Sequence, residues 1–153
     1  MGLSRLETFL QRHRLVALDT NVFIYHLEAN PLYVSLTTDI FNWLLVPGNR
    51  AITSTLTMVE VLVQPYREAN EGLQRAYFGL LSQYPNLYWI PPDLQIADAA
   101  ARLRAAHRLR TPDAIHIATA IRSGASGFIS NDAALAPVPD IEVGVLDSML
   151  IKH

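Results

Sequence analysis

Leu15-Val16-Ala17-Leu18-Asp19-Thr20-Asn21-Val22-Phe23-Ile24 is the stretch whose reading decides the fold. Residues 15–18 form an uninterrupted apolar run, which suits a buried strand. Asp19-Thr20-Asn21 closes it and starts a short apolar helix over 22–27, broken by Asn30-Pro31. The same unit recurs along the chain. Residues 32–46 read as a helix ended by Pro47-Gly48, followed by the short strand Ala51-Ile52-Thr53. Ser54 or Thr55 caps the next helix, whose end Pro65 limits. A helix over 67–83 precedes the strand 87–90, and an Ala- and Arg-rich helix runs from Pro91-Pro92-Asp93 to about Leu109. Thr111 as N-cap, then Pro112 and Asp113, start a helix to Arg122. Strands at 127–129 and 142–146 flank a turn holding Asp132 to Leu135. Short apolar strands alternating with helices indicate an α/β fold, layered around a parallel sheet.

Four acidic residues stand at these β/α transitions: Asp19, Glu60, Asp113 and Asp132. In an open parallel sheet the strand C-termini share one edge, where ligands collect. Carboxylates gathered there suit Mg²⁺ or Mn²⁺, hard cations that prefer oxygen. Each acid also has an ordinary explanation. Asp19 and Asp132 suit helix or turn capping, and Asp113 suits the positive end of its helix. Glu60 is harder to explain away, because Thr57-Met58-Val59 and Val61-Leu62-Val63 surround it. A Glu in so apolar a segment is costly to bury unless paired or metal-bound; otherwise it points to water. As a set, the acids point to metal-dependent phosphodiester chemistry, with a metal-activated water as nucleophile.

Composition narrows the alternatives. A chain of 153 residues suits one domain with a single sizeable core. Half its residues are hydrophobic and only 17% are charged, which favours a large core, an oligomer interface or both. There is no cysteine, so disulfides and thiolate metal sites are excluded. No run reaches the roughly 18 apolar residues of a membrane span, and residues 1–7 lack a signal-peptide core, so a cytoplasmic location is expected. A net charge of −2 gives no global pull on nucleic acid, but local patches matter more. Arg102, Arg104, Arg108 and Arg110 cluster before Asp113. They read either as a solvated helix face or as a phosphate-binding rim, with Arg104 and Arg108 on one face and Arg110 in the turn.

Leu18-Asp19-Thr20-Asn21-Val22-Phe23-Ile24, Thr57-Met58-Val59-Glu60-Val61-Leu62, Thr111-Pro112-Asp113-Ala114-Ile115-His116-Ile117-Ala118-Thr119-Ala120 and Ile129-Ser130-Asn131-Asp132 resemble the motifs of the PIN-domain family, in order and spacing. The resemblance covers roughly residues 15–147 and is closest to the VapC-type toxins of toxin–antitoxin pairs. It implies a three-layer sandwich with a parallel sheet of about five strands, and an Mg²⁺- or Mn²⁺-dependent endoribonuclease. It implies metal-binding roles for Asp19, Glu60, Asp113 and Asp132, an RNA substrate, a small antitoxin partner and a homodimer. Residues 1–14 depart from the pattern, since members typically begin near the first strand; this segment is expected to add a helix.

Polar neighbours extend the expected site. Asn21 either bonds a carboxylate or a coordinated water, or makes a local backbone bond, and the local bond is favoured. Ser130 and Asn131 are placed to orient Asp132 or a coordinated water. His116, three residues after Asp113, reads as a packed or supporting histidine rather than a ligand. Tyr66, Tyr77, Tyr84, Tyr88 and Trp89 read as core or interface residues. The competing readings are a non-catalytic PIN-like binding module and an RNA-maturation nuclease without an antitoxin. A phosphatase lacks support, since no Gly-rich phosphate loop is present.

Overall fold

The computed structural model describes residues 2–151. Its strands are β1 Leu15–Leu18, β2 Arg50–Ser54, β3 Leu87–Ile90, β4 Gly127–Ser130 and β5 Glu142–Val145. They form one sheet in the order β3-β2-β1-β4-β5, with every neighbouring pair parallel. The register sets Ala17 against Ile52 and Leu18 against Ile129. The C-terminal ends of β2, β1 and β4 therefore share one edge. From β1 the chain moves outward to β2 and β3, then returns to β4 on the other side of β1. The β1/β4 boundary is thus a topological switch point, where an open parallel sheet leaves a crevice.

The helices are α1 Arg5–Arg12, α2 Thr20–Leu27, α3 Val34–Leu44, α4 Thr55–Arg67, α5 Glu71–Ser82, α6 Leu94–His107 and α7 Thr111–Arg122. Alternate strand residues face opposite sides of a sheet. Val16, Leu18, Ala51 and Ile129 accordingly join one apolar cluster with Leu6, Phe23, Ile40, Val61 and Leu81 from α1 to α5. Ala17, Ile52 and Phe128 join a second cluster with Ile96, Leu103, Ile117 and Ala118 from α6 and α7. The result is three layers, helices on both faces of the sheet, which is why the strands read as unbroken apolar runs.

Local signals place most helix starts. Ser4, Asp19, Ser54, Asn70 and Asp93 each accept a backbone N–H at the start of α1, α2, α4, α5 and α6. Several bounds move by one or two residues from the sequence reading, such as 32–46 to Val34–Leu44, and two differences have an identifiable local cause. Pro65 does not end α4, which continues to Arg67. A proline in the last turn forfeits one hydrogen bond, and its ring is buried here. Helix α5 consequently starts only at Glu71. Thr111 is not the N-cap of α7 but its first residue; Arg110 holds the cap position with extended backbone and no side-chain cap bond. Pro112 already removes one of the orphan N–H groups, and the Arg110 side chain goes to Asp113 instead.

Helix α1 presses on the start of the sheet. Leu6, Phe9 and Leu10 are buried. Gly127 and Gly144 permit the close approach: a Cβ at Gly127 would lie 2.9 Å from the His13 ring, and one at Gly144 would lie 3.0 Å from the Phe9 ring. Buried His13 lies 2.7 Å from the Ser126 hydroxyl through Nδ1 and 3.2 Å from Glu142 through Nε2, and Arg12 also pairs with Glu142. The contacts of Arg12, His13 and Gly127 lie at the N-terminal ends of β4 and β5, while Gly144 lies further along, level with Ile129. No helix among the described residues is long and apolar enough to cross a membrane.

Candidate active site

Asp19 follows β1 and caps α2, so its backbone is held at the switch point. Its Oδ1 accepts the Thr20 N–H at 2.8 Å, and Oδ2 accepts the Ser130 hydroxyl at 2.7 Å. Ser130 ends β4, so this bond crosses from one side of the crevice to the other. The same Ser130 oxygen accepts the backbone N–H of Asp132 at 3.1 Å. Ser130 therefore ties Asp19 to the Asp132 turn. Asp132 caps a 3-10 turn, Ala133–Leu135, through Oδ1. Capping and site placement are compatible roles, because a carboxylate offers about four acceptor positions.

Glu60 lies one helical turn beyond Thr57 on α4 and is about 37% exposed. Both readings of this residue are partly met: it is half-buried, and it is paired. His116 Nε2 stands 2.7 Å from Glu60 Oε1, and the Thr20 hydroxyl donates to the same oxygen at 2.9 Å. A carboxylate only accepts, so Nε2 of His116 carries the proton. His116 is thus a buried support that holds Glu60. Behind it runs a chain of buried hydroxyls. Thr53 donates to the Leu18 carbonyl at 3.0 Å and meets Thr57 at 2.7 Å, and Thr57 meets Thr20 at 3.2 Å. Thr20, Thr53 and Thr57 were not singled out from sequence. Their available signal was position: Thr20 follows Asp19, and Thr57 lies three residues before Glu60 on one helix face.

Asp113 stands in the first turn of α7, 14% exposed, with Oδ2 3.2 Å from Arg110 Nε. Of the clustered arginines, only Arg110 reaches the acids among the described residues. Arg104 Nε donates to the Leu109 carbonyl, Arg102 pairs with Asp98, and Arg108 takes a left-handed backbone at the end of α6. Asn131 turns elsewhere, with Nδ2 donating to the Tyr25 hydroxyl and Oδ1 accepting the Asp147 N–H. Asn21 does not make the favoured local bond through its carbonyl: Oδ1 is buried with no hydrogen-bond partner among the described residues. The reason is that Asp19 and Val22 already satisfy the helix start, through Thr20 N–H to Asp19 Oδ1 and Val22 N–H to the Asp19 carbonyl.

Electrostatics link the four carboxylates. Burial pushes Asp19 above the ordinary aspartate range; His116, the Ser130 hydroxyl and the Thr20 N–H oppose this, while the Asp113 charge adds to it. Burial also acts to raise Glu60, but His116, Thr20 and the Arg110 charge outweigh it and leave Glu60 below its ordinary value. Asp113 foremost, then Asp132 and Glu60, hold the Arg110 guanidinium more firmly protonated. Asp19 thus feels Asp113, and Arg110 feels Asp113, Asp132 and Glu60. Asp113, read from sequence as standing at a β/α transition, instead follows helix α6, because Thr111-Pro112 starts α7 with no strand between. This site is not the largest hollow. An open groove of about 870 Å³ lies between α1 and β5, lined by residues such as Phe9, Arg12 and Val143.

The donor set suits a hard divalent cation in chemistry: carboxylate oxygens, an unpartnered buried amide oxygen at Asn21, and a buried Asp19 whose raised pKa a dication would relieve. Among the described residues, no three acidic or histidine side chains are gathered tightly enough to enclose an ion. Two of the acids are engaged by donors of the chain itself, Glu60 by His116 and Asp113 by Arg110.

The Asp19 shift yields a stability prediction. Its folded-state pKa is raised, so the protonated form favours folding, and that contribution fades as pH rises from about 3.9 through the folded value. With chelator present at pH 7, Asp19→Asn should melt higher than the parent. The gain should shrink as pH falls towards 4. Glu60 has the opposite sign: its contribution is present above the unfolded pKa and is lost as pH falls through its depressed folded value. Melting curves of Asp19→Asn and Glu60→Gln against pH check both; matching trends in the two variants would contradict the assignment.

The PIN domain family model matches residues 16–141. Among solved structures, the chain is similar to a toxin–antitoxin complex from Klebsiella pneumoniae, with TM-score 0.63, 23% identity and coverage of 86% of this chain and 97% of that one. It is also similar to VapBC-1 from nontypeable Haemophilus influenzae, with TM-score 0.66, 17% identity and coverage of 87% and 98%. A third likeness is to VapBC-5 of Mycobacterium tuberculosis, with TM-score 0.57, 24% identity and coverage of 86% and 98%. Comparison with curated proteins finds no match.

Proposed function

The chain belongs to the PIN domain family, and on that premise we propose that it is an Mg²⁺- or Mn²⁺-dependent endoribonuclease acting as the toxin of a toxin–antitoxin pair. The observation that carries the enzymatic reading is the coupling of Asp19, Glu60, Asp113 and Asp132 at the switch point. Burial and the neighbouring Asp113 charge raise the pKa of Asp19, and a bound cation would relieve that cost. The toxin context is supported by the likeness to solved toxin–antitoxin complexes, which also suggests a small antitoxin as partner. A homodimer is proposed on the exposed apolar side chains Val59, Tyr66 and Phe78 of α4 and α5. The proposed compartment is the cytoplasm.

In this reading Asp19, Glu60, Asp113 and Asp132 hold the ions. Bound there, Mg²⁺ or Mn²⁺ supplies the positive charge that activates water and stabilises the leaving oxygen. Ser130 and the Thr20 N–H each fix one oxygen of the Asp19 carboxylate, and one lone pair on each oxygen stays available. His116 and Thr20 fix one oxygen of Glu60, so that the carboxylate keeps a single orientation. Asn21 contributes an acceptor oxygen beside Asp19 in the chain. Arg110 faces RNA phosphates, with Arg104 on α6 and Arg108 at the end of that helix as weaker candidates.

Two measurements test this. Ions that bind only the folded state raise its stability by about 2.7 kcal/mol at ~100 times Kd. For a chain of this size that is about 5–10 °C in Tm. Mn²⁺ or Mg²⁺ should produce such a rise, and Asp113→Asn should reduce it; equal responses would remove Asp113 as a ligand. Sequencing of RNA ends after expression, with Asp19→Asn as control, should reveal cuts that depend on Asp19.

A further inference from the structure

Arg110 is joined to the acidic site in an unusual way. Its base is fixed, because its backbone is the extended N-cap of α7, but its side chain is 81% exposed. It touches Asp113 only through Nε, at 3.2 Å. Among the described residues its two terminal nitrogens make no hydrogen bond. A guanidinium carries five N–H donors in a rigid fork, so most of them remain directed outward. Its charge is felt by carboxylates on three elements: Asp113 on α7, Glu60 on α4 and Asp132 after β4.

We propose that Arg110 is a counter-ion with two stations, holding Asp113 when no divalent ion is bound and turning its free fork to an RNA phosphate when one is. The inference rests on the metal-dependent ribonuclease reading. A single exposed ion pair is weak and screened by salt. A dication at the same carboxylates is attracted twice as strongly and repels the guanidinium. The side chain is then released beside the site, where the substrate backbone brings negative charge. Bidentate phosphate binding is the use for which Arg is better shaped than Lys. The local chain restricts this role to Arg110, since Arg104 is engaged at the Leu109 carbonyl and Arg102 at Asp98.

The two stations give effects of opposite sign, which a merely structural role would not. Mn²⁺ affinity is measured by calorimetry on the full chain, for the parent, Arg110→Gln and Arg110→Lys. Affinity for a single-stranded RNA oligonucleotide is measured by fluorescence anisotropy in Ca²⁺ across a salt series. Arg110→Gln should bind Mn²⁺ roughly 3- to 10-fold more tightly, since a competing cation is gone. It should bind RNA roughly 3- to 10-fold more weakly, with a slope of log K against log salt shallower by about 0.7. Arg110→Lys should keep Mn²⁺ affinity near that of the parent, while RNA affinity falls. Unchanged or weaker Mn²⁺ binding by Arg110→Gln, with a parent that does bind, overturns the first station. Unchanged RNA affinity overturns the second, and parallel weakening of both ligands overturns the pair. A parent that binds no Mn²⁺ at millimolar concentration overturns the metal reading itself and the inference with it.

Discussion

RNA cleavage by the purified protein should stop on addition of EDTA and return when Mn²⁺ or Mg²⁺ is restored. Asp19→Asn and Glu60→Gln should each lower the rate at least ~100-fold, the scale of losing one group that stabilises developing charge. The two variants test different contributions. Asp19 is buried and tied to both Ser130 and Thr20, so Asn can occupy the same space while removing the charge. Glu60 is held from behind by His116 and Thr20, so Gln keeps the length of the side chain and loses the anion. Both changes should leave the fold intact, and Asp19→Asn should stabilise it in chelator. A variant that is inactive yet more stable is the pattern expected of a site that sacrifices stability for function. EDTA-resistant cleavage by the pure protein would sink the metal mechanism. Full activity in Asp19→Asn would remove that residue from it.

Phe9→Ala should destabilise the protein by about 3–5 kcal/mol, the usual cost of emptying a buried aromatic site. That corresponds to a fall of about 6–20 °C in Tm for a chain of this size. Phe9 is 3% exposed and lies 4.6 Å from the His13 ring, with the Arg12 guanidinium 5.6 Å from its own ring centre. Gly127 and Gly144 leave the space that its ring fills, and small backbone sites of this kind cannot collapse onto the cavity. Phe9→Leu keeps much of the volume and should cost less than half as much. Phe9 packs against Gly127, Gly144 and His13 rather than against the acids, so cleavage per folded molecule should be unchanged. A cost below ~1 kcal/mol would show α1 to be a loose addition to the residues that match the family model, which begin at Val16.

Much of this molecule was legible in local sequence. The runs Leu15–Leu18 and Leu87–Ile90 are strands with the bounds read from them, because burial on both faces leaves an unbroken apolar signature. Asp19 and Ser54 mark helix starts because a side-chain acceptor next to free N–H groups is a short-range device. Asp19, Glu60 and Asp132 follow β1, β2 and β4 for the same reason, since position along the chain determines which sheet edge a residue occupies; Asp113 follows helix α6 and opens α7. Pro65 shows the limit of such signals, since a buried ring in a last turn outweighs its local cost. So does Arg110, which takes the cap position with no side-chain cap bond, its guanidinium meeting Asp113 three residues on and Pro112 removing one free N–H.

Tertiary structure alone decided the long-range partners of Asp19 and Glu60. Ser130 meets Asp19 across 111 residues, His116 meets Glu60 across 56, and Thr20 meets Glu60 across 40. None of these pairs follows from periodicity, because periodicity says which face a residue takes and not which element lies opposite. The strand order β3-β2-β1-β4-β5 sets those neighbours, and it arises from how whole helices cover whole sheet faces. Sequence by itself placed Asp19, Glu60 and Asp132 after strands of a parallel sheet and Asp113 at a helix start. The folded structure decided which of them are buried and which are held by hydroxyls or a histidine from another element, since burial and coupling between elements exist only once distant parts of the chain are packed together.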